Sequence, residues 1–303
     1  MTDINPTELD KTGKVVLDQI YSKDSPLDFY NIISQMDYAV PQQAKSVFIA
    51  LIEHLQSLGG GDTLKLIDLG SSYGVNAALL KYNLSLDEVF HHYKTAKAEG
   101  LSRAELLALD HKLLEACQVR NIEMVGVDIS DPALSYAEEA GLIDERVVGN
   151  FECDPMTPQQ QERLSGADLI ISTGCIGYVG AATVSEILDA VLPKQPWMAH
   201  FVLRTFRFDD VAEMAAARGY QTKKGQIPIR QRRFASSEEY ESALSRLETL
   251  GIDPTGLEGD GWYYADLYLS RPFDACGNDS GADIPAATGA DLPPLLQAQF
   301  ESE

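Results

Sequence analysis

The stretch from Leu64 to Leu80 places the strongest constraint on what this chain can fold into. A short apolar run carries an acid, Asp68, near its end. Two glycines, Gly70 and Gly74, follow four positions apart, and a segment with helical spacing of apolar residues comes next. This pattern is typical of a strand, a tight turn and a helix. Because glycine permits positive φ and close approach of the backbone to a ligand, the stretch predicts the opening unit of a nucleotide-binding α/β domain.

The acid distinguishes this turn from one that binds a dinucleotide. A G-x-G-x-x-G turn places a pyrophosphate against a helix N-terminus, and a carboxylate at Asp68 would repel that phosphate. A ligand with an ammonium or sulfonium group fits better. The sequence therefore disfavours a dehydrogenase.

Three later segments continue the pattern of apolar strands that end in polar or small residues. They are Met124–Ser130, which carries Asp128, Arg146–Glu152, and Ala167–Tyr178. With four such segments in this order, residues 60–210 resemble the class I (Rossmann-like) S-adenosylmethionine-dependent methyltransferases. The resemblance implies an α/β fold with a Rossmann-like, seven-stranded, mostly parallel sheet, two late strands of which form an antiparallel pair.

The resemblance also implies which residues hold S-adenosylmethionine, whose product would be S-adenosylhomocysteine. The resemblance implies that Asp68, Gly70, Ser71, Ser72 and Gly74 hold the methionine portion, and that Asp128 and Ile129 hold the ribose. It implies that Asn150, Phe151 and Glu152 hold the adenine, and that Thr173, Gly174 and Cys175 line the methyl-transfer channel. A carboxylate such as that of Asp128 suits the ribose because its two oxygens can accept from two neighbouring hydroxyls.

The N-terminal region 1–58 is predicted to be a helical lid over the donor. Residues 1–14 are expected to be a polar, weakly ordered lead-in, and helical spacing begins at Val15. Tyr21, Tyr30 and Tyr38 can either reach the site or pack as core aromatics. The predicted catalytic domain follows over 59–272.

An insertion interrupts the first crossover of that domain. Gly70 and Asp128 are 58 residues apart (128 − 70), whereas the ribose acid is expected about 20 residues after the glycine turn. Residues 85–118 have helical periodicity and are predicted to form a helix pair that caps the site or provides a dimer face. The adjacent His91 and His92 point in different directions on a helix and are expected to face solvent.

Candidates for catalysis are Tyr178, His200 and Thr205. Tyr178 lies four residues past Gly174 and can face the sulfonium, orient the acceptor, or pack under the next helix. His200 lies in the apolar run 197–203 and is either a general base or a buried structural histidine. Thr205 follows the same run.

Composition limits the partners. A formal net charge of −22 disfavours nucleic acid, since phosphate binding needs a basic surface. No apolar window is long enough to span a membrane, and the N-terminus has no signal pattern, so a cytoplasmic enzyme is expected. Its four cysteines have no metal-ligand spacing, so we expect no metal and reduced, mostly buried thiols. The acidic tail 273–303 is predicted to be disordered.

The predicted activity is methyl transfer to oxygen or nitrogen of a small molecule, for example in secondary metabolite biosynthesis, by in-line displacement at the sulfonium. The alternative is an enzyme of the same fold that uses S-adenosylmethionine itself as substrate, cyclising it and releasing methylthioadenosine. A binding module without turnover is a third hypothesis.

Overall fold

The computed structural model describes residues 9–59, 63–273 and 292–300. Its strands are β1 Leu64–Leu69, β2 Ile122–Asp128, β3 Glu145–Val148, β4 Leu169–Thr173, β5 Trp197–Leu203, β6 Tyr220–Lys224, β7 Ile229–Arg233 and β8 Trp262–Pro272. Its helices are α1 Asp18–Tyr21, α2 Leu27–Gln35, α3 Val40–Ser57, α4 Val75–Leu80, α5 Leu86–Glu99, α6 Arg103–Glu115, α7 Asp131–Glu139, α8 Pro158–Leu164, α9 Ala181–Ala190, α10 Asp209–Ala216, α11 Ser237–Leu250 and α12 Pro294–Gln297.

One sheet contains the eight strands of the described residues, in the order β3-β2-β1-β4-β5-β8-β6, with β7 paired to another part of β8. Strands β1 to β5 are parallel, and β8 is antiparallel to β5, β6 and β7. The chain runs from β1 outward to β3 and then returns to the other side of β1 at β4. The carboxyl ends of β1 and β4 therefore border a topological switch point, the place where open α/β sheets bind ligands.

The burial of the strands explains why the sequence predicted a parallel sheet. Strands β1, β2, β4 and β5 are apolar runs in which nearly every residue is buried, as expected for strands covered on both faces. The Rossmann-like, mostly parallel fold is confirmed. The eighth strand, β6, was missed because Tyr-Gln-Thr-Lys-Lys has one apolar residue, and an edge strand can remain half solvated.

The helical insertion predicted over 85–118 is present as α5 and α6. Ser85 and Ser102 each form a capping box at the start of one helix, and Gly100 ends α5 in the left-handed conformation. Each of these caps satisfies amide donors or carbonyl acceptors at a helix end, and each is formed by residues close together in the sequence.

A buried carboxylate, Asp110 of α6, fixes the insertion to the rest of the domain. It accepts hydrogen bonds from the hydroxyls of Tyr93 (3.1 Å) and Tyr136 (2.6 Å), and it lies 2.6 Å from Nε2 of His92. The expectation that His92 faces solvent is therefore wrong. Because an unpaired buried carboxylate is costly, this network favours one position of the insertion against α7.

The N-terminal helices pack on the sheet. Helix α3 contacts β4, β5 and β7, and Phe48 of α3 packs edge-on against Phe201 of β5 with 5.6 Å between ring centroids. None of the helices within the described ranges combines the length and apolar character needed to cross a bilayer.

Both ends of the chain are more ordered than composition suggested. The prediction of a weakly ordered lead-in over 1–14 is wrong for residues 9–14, where Lys14 is buried and Asp10 accepts from the Tyr178 hydroxyl (2.6 Å); residues 1–8 lie outside the described residues. The prediction of a disordered tail is wrong for residues 292–300, where Leu292 and Leu296 join the core. The average composition of these segments did not predict the contacts, because only a few residues in each segment make them. Residues 274–291 and 301–303 lie outside the described residues.

Candidate functional site

Two glycines shape the turn between β1 and α4. Gly70 and Gly74 have φ of +74° and +78°. The amide of Gly70 donates to the carbonyl of Val127 in β2 (2.8 Å). A Cβ at Gly70 would lie 2.6 Å from Cβ of Cys175, so the position requires glycine for both its backbone angle and its neighbour.

Asp68 lies fully buried beside this turn, near the carboxyl end of β1. Its Oδ1 accepts from Nδ2 of Asn76 (2.8 Å), and the same amide donates to Oγ1 of Thr173 at the end of β4 (3.2 Å). Its Oδ2 makes no hydrogen bond. Burial raises the pKa of Asp68 to about 7, against the opposing effect of Asn76 and the nearby Ser71 hydroxyl. A buried carboxylate oxygen without a partner is suited to an N–H or cationic group of a ligand.

Asn76 is a residue of this cluster that the sequence analysis missed. It is the second residue of α4 and is buried among apolar neighbours. The available signal was one amide side chain inside the otherwise apolar run Val75–Leu80.

Two hydroxyls of the turn are also unpartnered. Oγ of Ser71 and Oγ of Ser72 are buried and have no partner in good hydrogen-bonding geometry, although the Ser71 hydroxyl lies close enough to Asp68 to favour its ionised form. Ser72 has φ of 49°, which holds its backbone amide toward β2. Together with Oδ2 of Asp68, these atoms form a set of unsatisfied polar groups that fits a small zwitterion or another polar ligand.

Asp128 ends β2, and the backbone fixes its carboxylate. Oδ2 accepts from the amide of Ser72 (2.9 Å), and Oδ1 accepts from the amide of Ser130 (2.9 Å). Burial raises the pKa of Asp128 although these backbone hydrogen bonds lower it. Each oxygen retains capacity for a further donor, so the carboxylate can still accept from a pair of hydroxyls. Ile129, which follows, is 67 % exposed and offers an apolar surface.

The loop after β3 has a different arrangement from the predicted one. Oε1 of Glu152 accepts from the amide of Gly180 (2.8 Å) and from the amide (3.2 Å) and hydroxyl (2.6 Å) of Thr183. Glu152 therefore joins this loop to the first turn of α9, and its contact with a base stays a prediction. Phe151 is buried, whereas Asn150 is exposed.

Residues 9–15 meet the loop after β4 at Tyr178. The Tyr178 hydroxyl donates to Oδ2 of Asp10 (2.6 Å) and lies 3.4 Å from Oγ1 of Thr12. Nζ of Lys14 lies 5.0 Å from the centroid of the Tyr178 ring. The sequence alone does not place residues 9–15 at the site, because these residues contact Tyr178, more than 160 positions away.

Of the three tyrosines assigned to the lid, Tyr38 contacts Thr173, a residue of the predicted site, through a side-chain hydrogen bond. Burial raises the pKa of Tyr38, and the nearby Tyr21 and Asp68 raise it further. Tyr30 instead is buried and stacks on Tyr93, with 4.2 Å between ring centroids. The prediction that Tyr30 reaches the site is therefore wrong, because its ring fills the contact between α2 and α5.

A third glycine brings β7 into the site. Gly174 has φ of +86°, and a Cβ there would lie 2.9 Å from Nε2 of Gln231. Oε1 of Gln231 is buried without a hydrogen-bond partner. Sγ of Cys175 donates to the carbonyl of Leu69 (3.2 Å). Gln231 was not predicted, because nothing in its local sequence indicates a contact with residue 174.

Comparison with known proteins gives structural neighbours only. The sequence matches no protein-family model, and it matches no curated protein. A TehB-like S-adenosylmethionine-dependent methyltransferase from Corynebacterium glutamicum is 12 % identical, over 76 % of this chain and 99 % of that one, with a TM-score of 0.36. The magnesium protoporphyrin IX methyltransferase of Synechocystis, solved with S-adenosylhomocysteine, is 12 % identical over 78 % and 87 %, with a TM-score of 0.38. Precorrin-6y C5,15-methyltransferase from Geobacter metallireducens is 9 % identical over 77 % and 89 %, with a TM-score of 0.38.

At these TM-scores we base the fold assignment on this chain's own topology. Its five parallel strands have the order β3-β2-β1-β4-β5, antiparallel β8 lies next to β5, and an acid precedes the glycine turn after β1. The chain has a Rossmann-like, mostly parallel α/β fold, and its strand order agrees with the fold that the resemblance implied. The turn after β1 and the acid that ends β2 lie side by side, because the amide of Ser72 donates to Asp128 and the amide of Gly70 donates to Val127.

His200 is enclosed in the core of the sheet. Its Nδ1 lies 2.8 Å from Oγ of Ser172, its Nε2 is buried without a partner, and its ring packs against Phe208. Burial lowers the pKa of His200 to about 4. The catalytic assignment of His200 is therefore wrong, because a fully buried ring in the middle of β5 cannot reach a substrate. Thr205 is also buried, with its carbonyl accepting from Arg246 (2.6 Å), and its catalytic assignment stays a prediction.

The cysteines differ from their predicted burial. Cys153 is exposed, and Cys117 and Cys175 are partly buried. Cys276 lies outside the described residues. Within the ranges that the structure describes, no three His, Cys, Asp or Glu side chains gather as metal ligands would.

Proposed function

We propose that this chain binds S-adenosylmethionine along the carboxyl ends of β1, β2 and β4 and transfers its methyl group to a small-molecule acceptor. One observation carries the proposal. Asp68, which is fully buried, and Asp128, which is half-buried, lie at or next to the ends of neighbouring strands, and each keeps acceptor capacity: Oδ2 of Asp68 has no partner, and Asp128 is aimed by two backbone amides. Such a pair fits a ligand with a cationic amino acid at one end and a diol at the other.

Different residues would hold different parts of such a ligand. Asp68, with the Ser71 and Ser72 hydroxyls, would hold the ammonium and carboxylate groups of the methionine portion. Asp128 would accept both ribose hydroxyls, and the exposed Ile129 would lie against the adenine. The positive φ at Gly70 lets the backbone approach the ligand closely.

When bound, S-adenosylmethionine supplies an electrophilic methyl group on a sulfonium. The chain's own contribution is to hold the acceptor atom in line with the departing sulfur, at about 3 Å from the methyl carbon. Because burial raises the pKa of Cys175 to about 12, this thiol stays protonated and does not compete as a nucleophile.

A small molecule is the proposed acceptor because the charge of the chain is unsuited to nucleic acid. The formal net charge is −22. Two arginines of the basic cluster Arg230–Arg233 already form ion pairs within the chain: Arg232 is buried against Glu239, and Arg233 pairs with Asp37. A polyanion would meet repulsion over most of the surface.

Calorimetric titration of the full chain with S-adenosylhomocysteine tests the donor site. We expect saturable binding, and we expect Asp128→Asn to weaken it by about tenfold or more, since a diol would lose its charged acceptor. Asp131→Asn is the matched control: this exposed acid three residues on pairs with Arg146 at the surface and should leave affinity unchanged. Wild-type protein that does not bind, or an Asp128→Asn variant with full affinity, would overturn the proposal.

Incubation with S-adenosylmethionine alone then distinguishes the two chemistries. Transfer to a separate acceptor predicts no turnover of the donor without that acceptor. Release of methylthioadenosine would instead support intramolecular cyclisation of the donor, and methyl transfer would be abandoned.

A further inference from the structure

A buried lysine lies beside the proposed donor site. Lys14 is 9 % exposed, and its Nζ lies between two aromatic rings, 5.0 Å from the centroid of Tyr178 and 5.8 Å from that of Tyr263. Burial and charges farther away determine the pKa of this amine. No hydrogen bond between the amine and another described residue contributes to it. A buried cation without a carboxylate partner is costly.

The nearest carboxylates are engaged by other donors. Asp10 accepts from the Tyr178 hydroxyl and from the hydroxyl and amide of Thr12. Glu239 forms a paired contact with the Arg232 guanidinium (2.7 and 2.8 Å). These interactions position the walls around Lys14 and leave its amine available.

The groups that face Lys14 come from five parts of the chain: Asp10 of its own segment, Cys175 and Tyr178 of the loop after β4, Arg232 of β7, Glu239 of α11, and Tyr263 of β8. Burial lowers the pKa of Lys14 to about 7, and Arg232 adds to this lowering, while Glu239, Asp10 and Cys175 oppose it. A large fraction of the amine is therefore neutral near pH 7.

The position of the amine relates it to the donor. Cys175 interacts electrostatically with Lys14 and lies against Gly70, the glycine of the donor turn. The adjoining Gly174 contacts Gln231, whose Oε1 is unpartnered. Tyr178 is 47 % exposed and Tyr263 is buried, so the Tyr178 ring borders solvent and an acceptor can approach from that side.

We propose that Lys14 is the general base for an aromatic acceptor with an acidic hydroxyl, a phenol, bound against the Tyr178 ring and methylated on that oxygen. This inference rests on the proposed function. The aromatic walls suit a flat ring, and the amine suits the proton of its hydroxyl.

The proposed step balances as follows. The neutral amine takes the phenol proton, so an N–H bond forms as the O–H bond breaks. The phenolate oxygen then bonds to the methyl carbon as the bond from that carbon to sulfur breaks, and the sulfur keeps the electron pair. The products are the methyl ether, S-adenosylhomocysteine and a lysine ammonium, which returns its proton to solvent.

A coloured phenol, 4-nitrophenol, is the probe for this site. Titrated into the full chain saturated with S-adenosylhomocysteine, at a pH where the free compound is mostly neutral, it should show the absorption of the phenolate on binding. Lys14→Met should weaken this binding by about tenfold or more, because a buried phenolate would lose the ammonium formed when Lys14 takes its proton, and the nearby Arg232 is already paired with Glu239. Lys11→Met is the matched control: Lys11 is exposed in the same segment, and the signal should be unchanged.

A measurement on the wild-type protein covers the case in which Lys14→Met does not fold. Trace acetylation across pH, read by mass spectrometry, should give Lys14 a titration midpoint well below that of Lys11. Saturating 4-nitrophenol should protect Lys14 and leave Lys11 reactive. Equal midpoints, or no protection, would overturn the assignment.

The outcomes separate this inference from the proposed function. If S-adenosylhomocysteine binds but no phenolate signal forms, Lys14 is not the base and the donor site stands. If Lys14→Met weakens S-adenosylhomocysteine instead of 4-nitrophenol, the amine holds the carboxylate of the donor and the phenol assignment fails. If S-adenosylhomocysteine does not bind at all, the proposed function itself is wrong.

Discussion

The two sides of the crevice are built differently. On the proposed donor side, backbone hydrogen bonds hold the turn 70–74 and Asp128, and the side chain of Asn76, eight residues along the same strand-turn-helix unit, holds Asp68. On the acceptor side, Lys14, Tyr178 and Gln231 are held by side chains from the N-terminal segment, the loop after β4, and β7. Backbone contacts follow from the sheet register, whereas side-chain contacts between distant segments depend on the whole fold.

This difference suggests that the donor side is rigid and general, and that the acceptor side carries the specificity. The donor side repeats an arrangement that the strand order enforces. The acceptor side includes residues 9–15, which attach to the domain through few hydrogen bonds, such as those of Val15 and Tyr178. Segments attached in this way open at a lower free energy than the core. The following changes test the comparison.

Gly70→Ala should have the largest effect, because Gly70 is where the two sides meet. The new Cβ would lie 2.6 Å from Cβ of Cys175, at φ of +74°. We expect a loss of about 3 kcal/mol in the free energy of unfolding, and loss of detectable S-adenosylhomocysteine binding. Chemical denaturation and calorimetry measure the two quantities.

Gly141→Ala is the control for that change. Gly141 has φ of +79°, but a Cβ there meets nothing within 4 Å. It should therefore cost only the backbone strain, about 1 kcal/mol, and leave binding intact. Equal effects of the two substitutions would show that the contact with Cys175 is unimportant.

Asp68→Asn should separate stability from binding. Burial raises the pKa of Asp68 to about 7 from 3.8 in the unfolded chain, so the native state binds the extra proton between these values. The free energy of unfolding therefore falls as pH rises from about 4 to 7. The variant lacks this loss, so between pH 4 and pH 8 the stability of the ligand-free variant should rise relative to wild type by about 4 kcal/mol.

The same variant should bind S-adenosylhomocysteine more weakly, and its affinity should lose the rise with pH through about 7 that wild type shows. That rise is expected because an ammonium group pairs with the ionised carboxylate. Denaturation and calorimetry at pH 4 and pH 8 give both quantities. A wild-type affinity that is flat across this range would remove Asp68 from the donor site.

Tyr178→Phe should have the smallest effect, confined to the acceptor side. It removes the hydrogen bond to Asp10 and keeps the ring beside Lys14. A partly exposed hydrogen bond contributes about 1 kcal/mol or less, so global stability and S-adenosylhomocysteine affinity should barely change. Hydrogen exchange of residues 9–15 should accelerate.

Tyr240→Phe serves as the comparison, since its hydroxyl donates to the carbonyl of Gly259 on a different part of the surface (3.4 Å). It should leave exchange at residues 9–15 unchanged. If Tyr178→Phe also leaves it unchanged, the segment is as firmly attached as the donor side and the two sides do not differ in this respect.

The sequence determined the Rossmann-like fold and the strand-turn-helix unit that carries the proposed donor site, because the signals for both are local. An apolar run that ends in an acid and glycines specifies strand and turn, and parallel pairing then brings Gly70 next to Val127 and Asp128. Capping boxes at Ser85 and Ser102 likewise specify where the inserted helices begin. Strand β6 was missed because a solvated edge imposes little pattern.

Only the tertiary structure decided which polar side chains outside those motifs meet the crevice. Lys14 and Gln231 reach it through contacts with residues 178 and 174, and Tyr30 and His200 leave it because the core encloses their rings. The physical reason is that burial and partnership depend on every segment that packs around a side chain. A sequence window determines the local conformation, but not what lies on the other side of a ring or an amine.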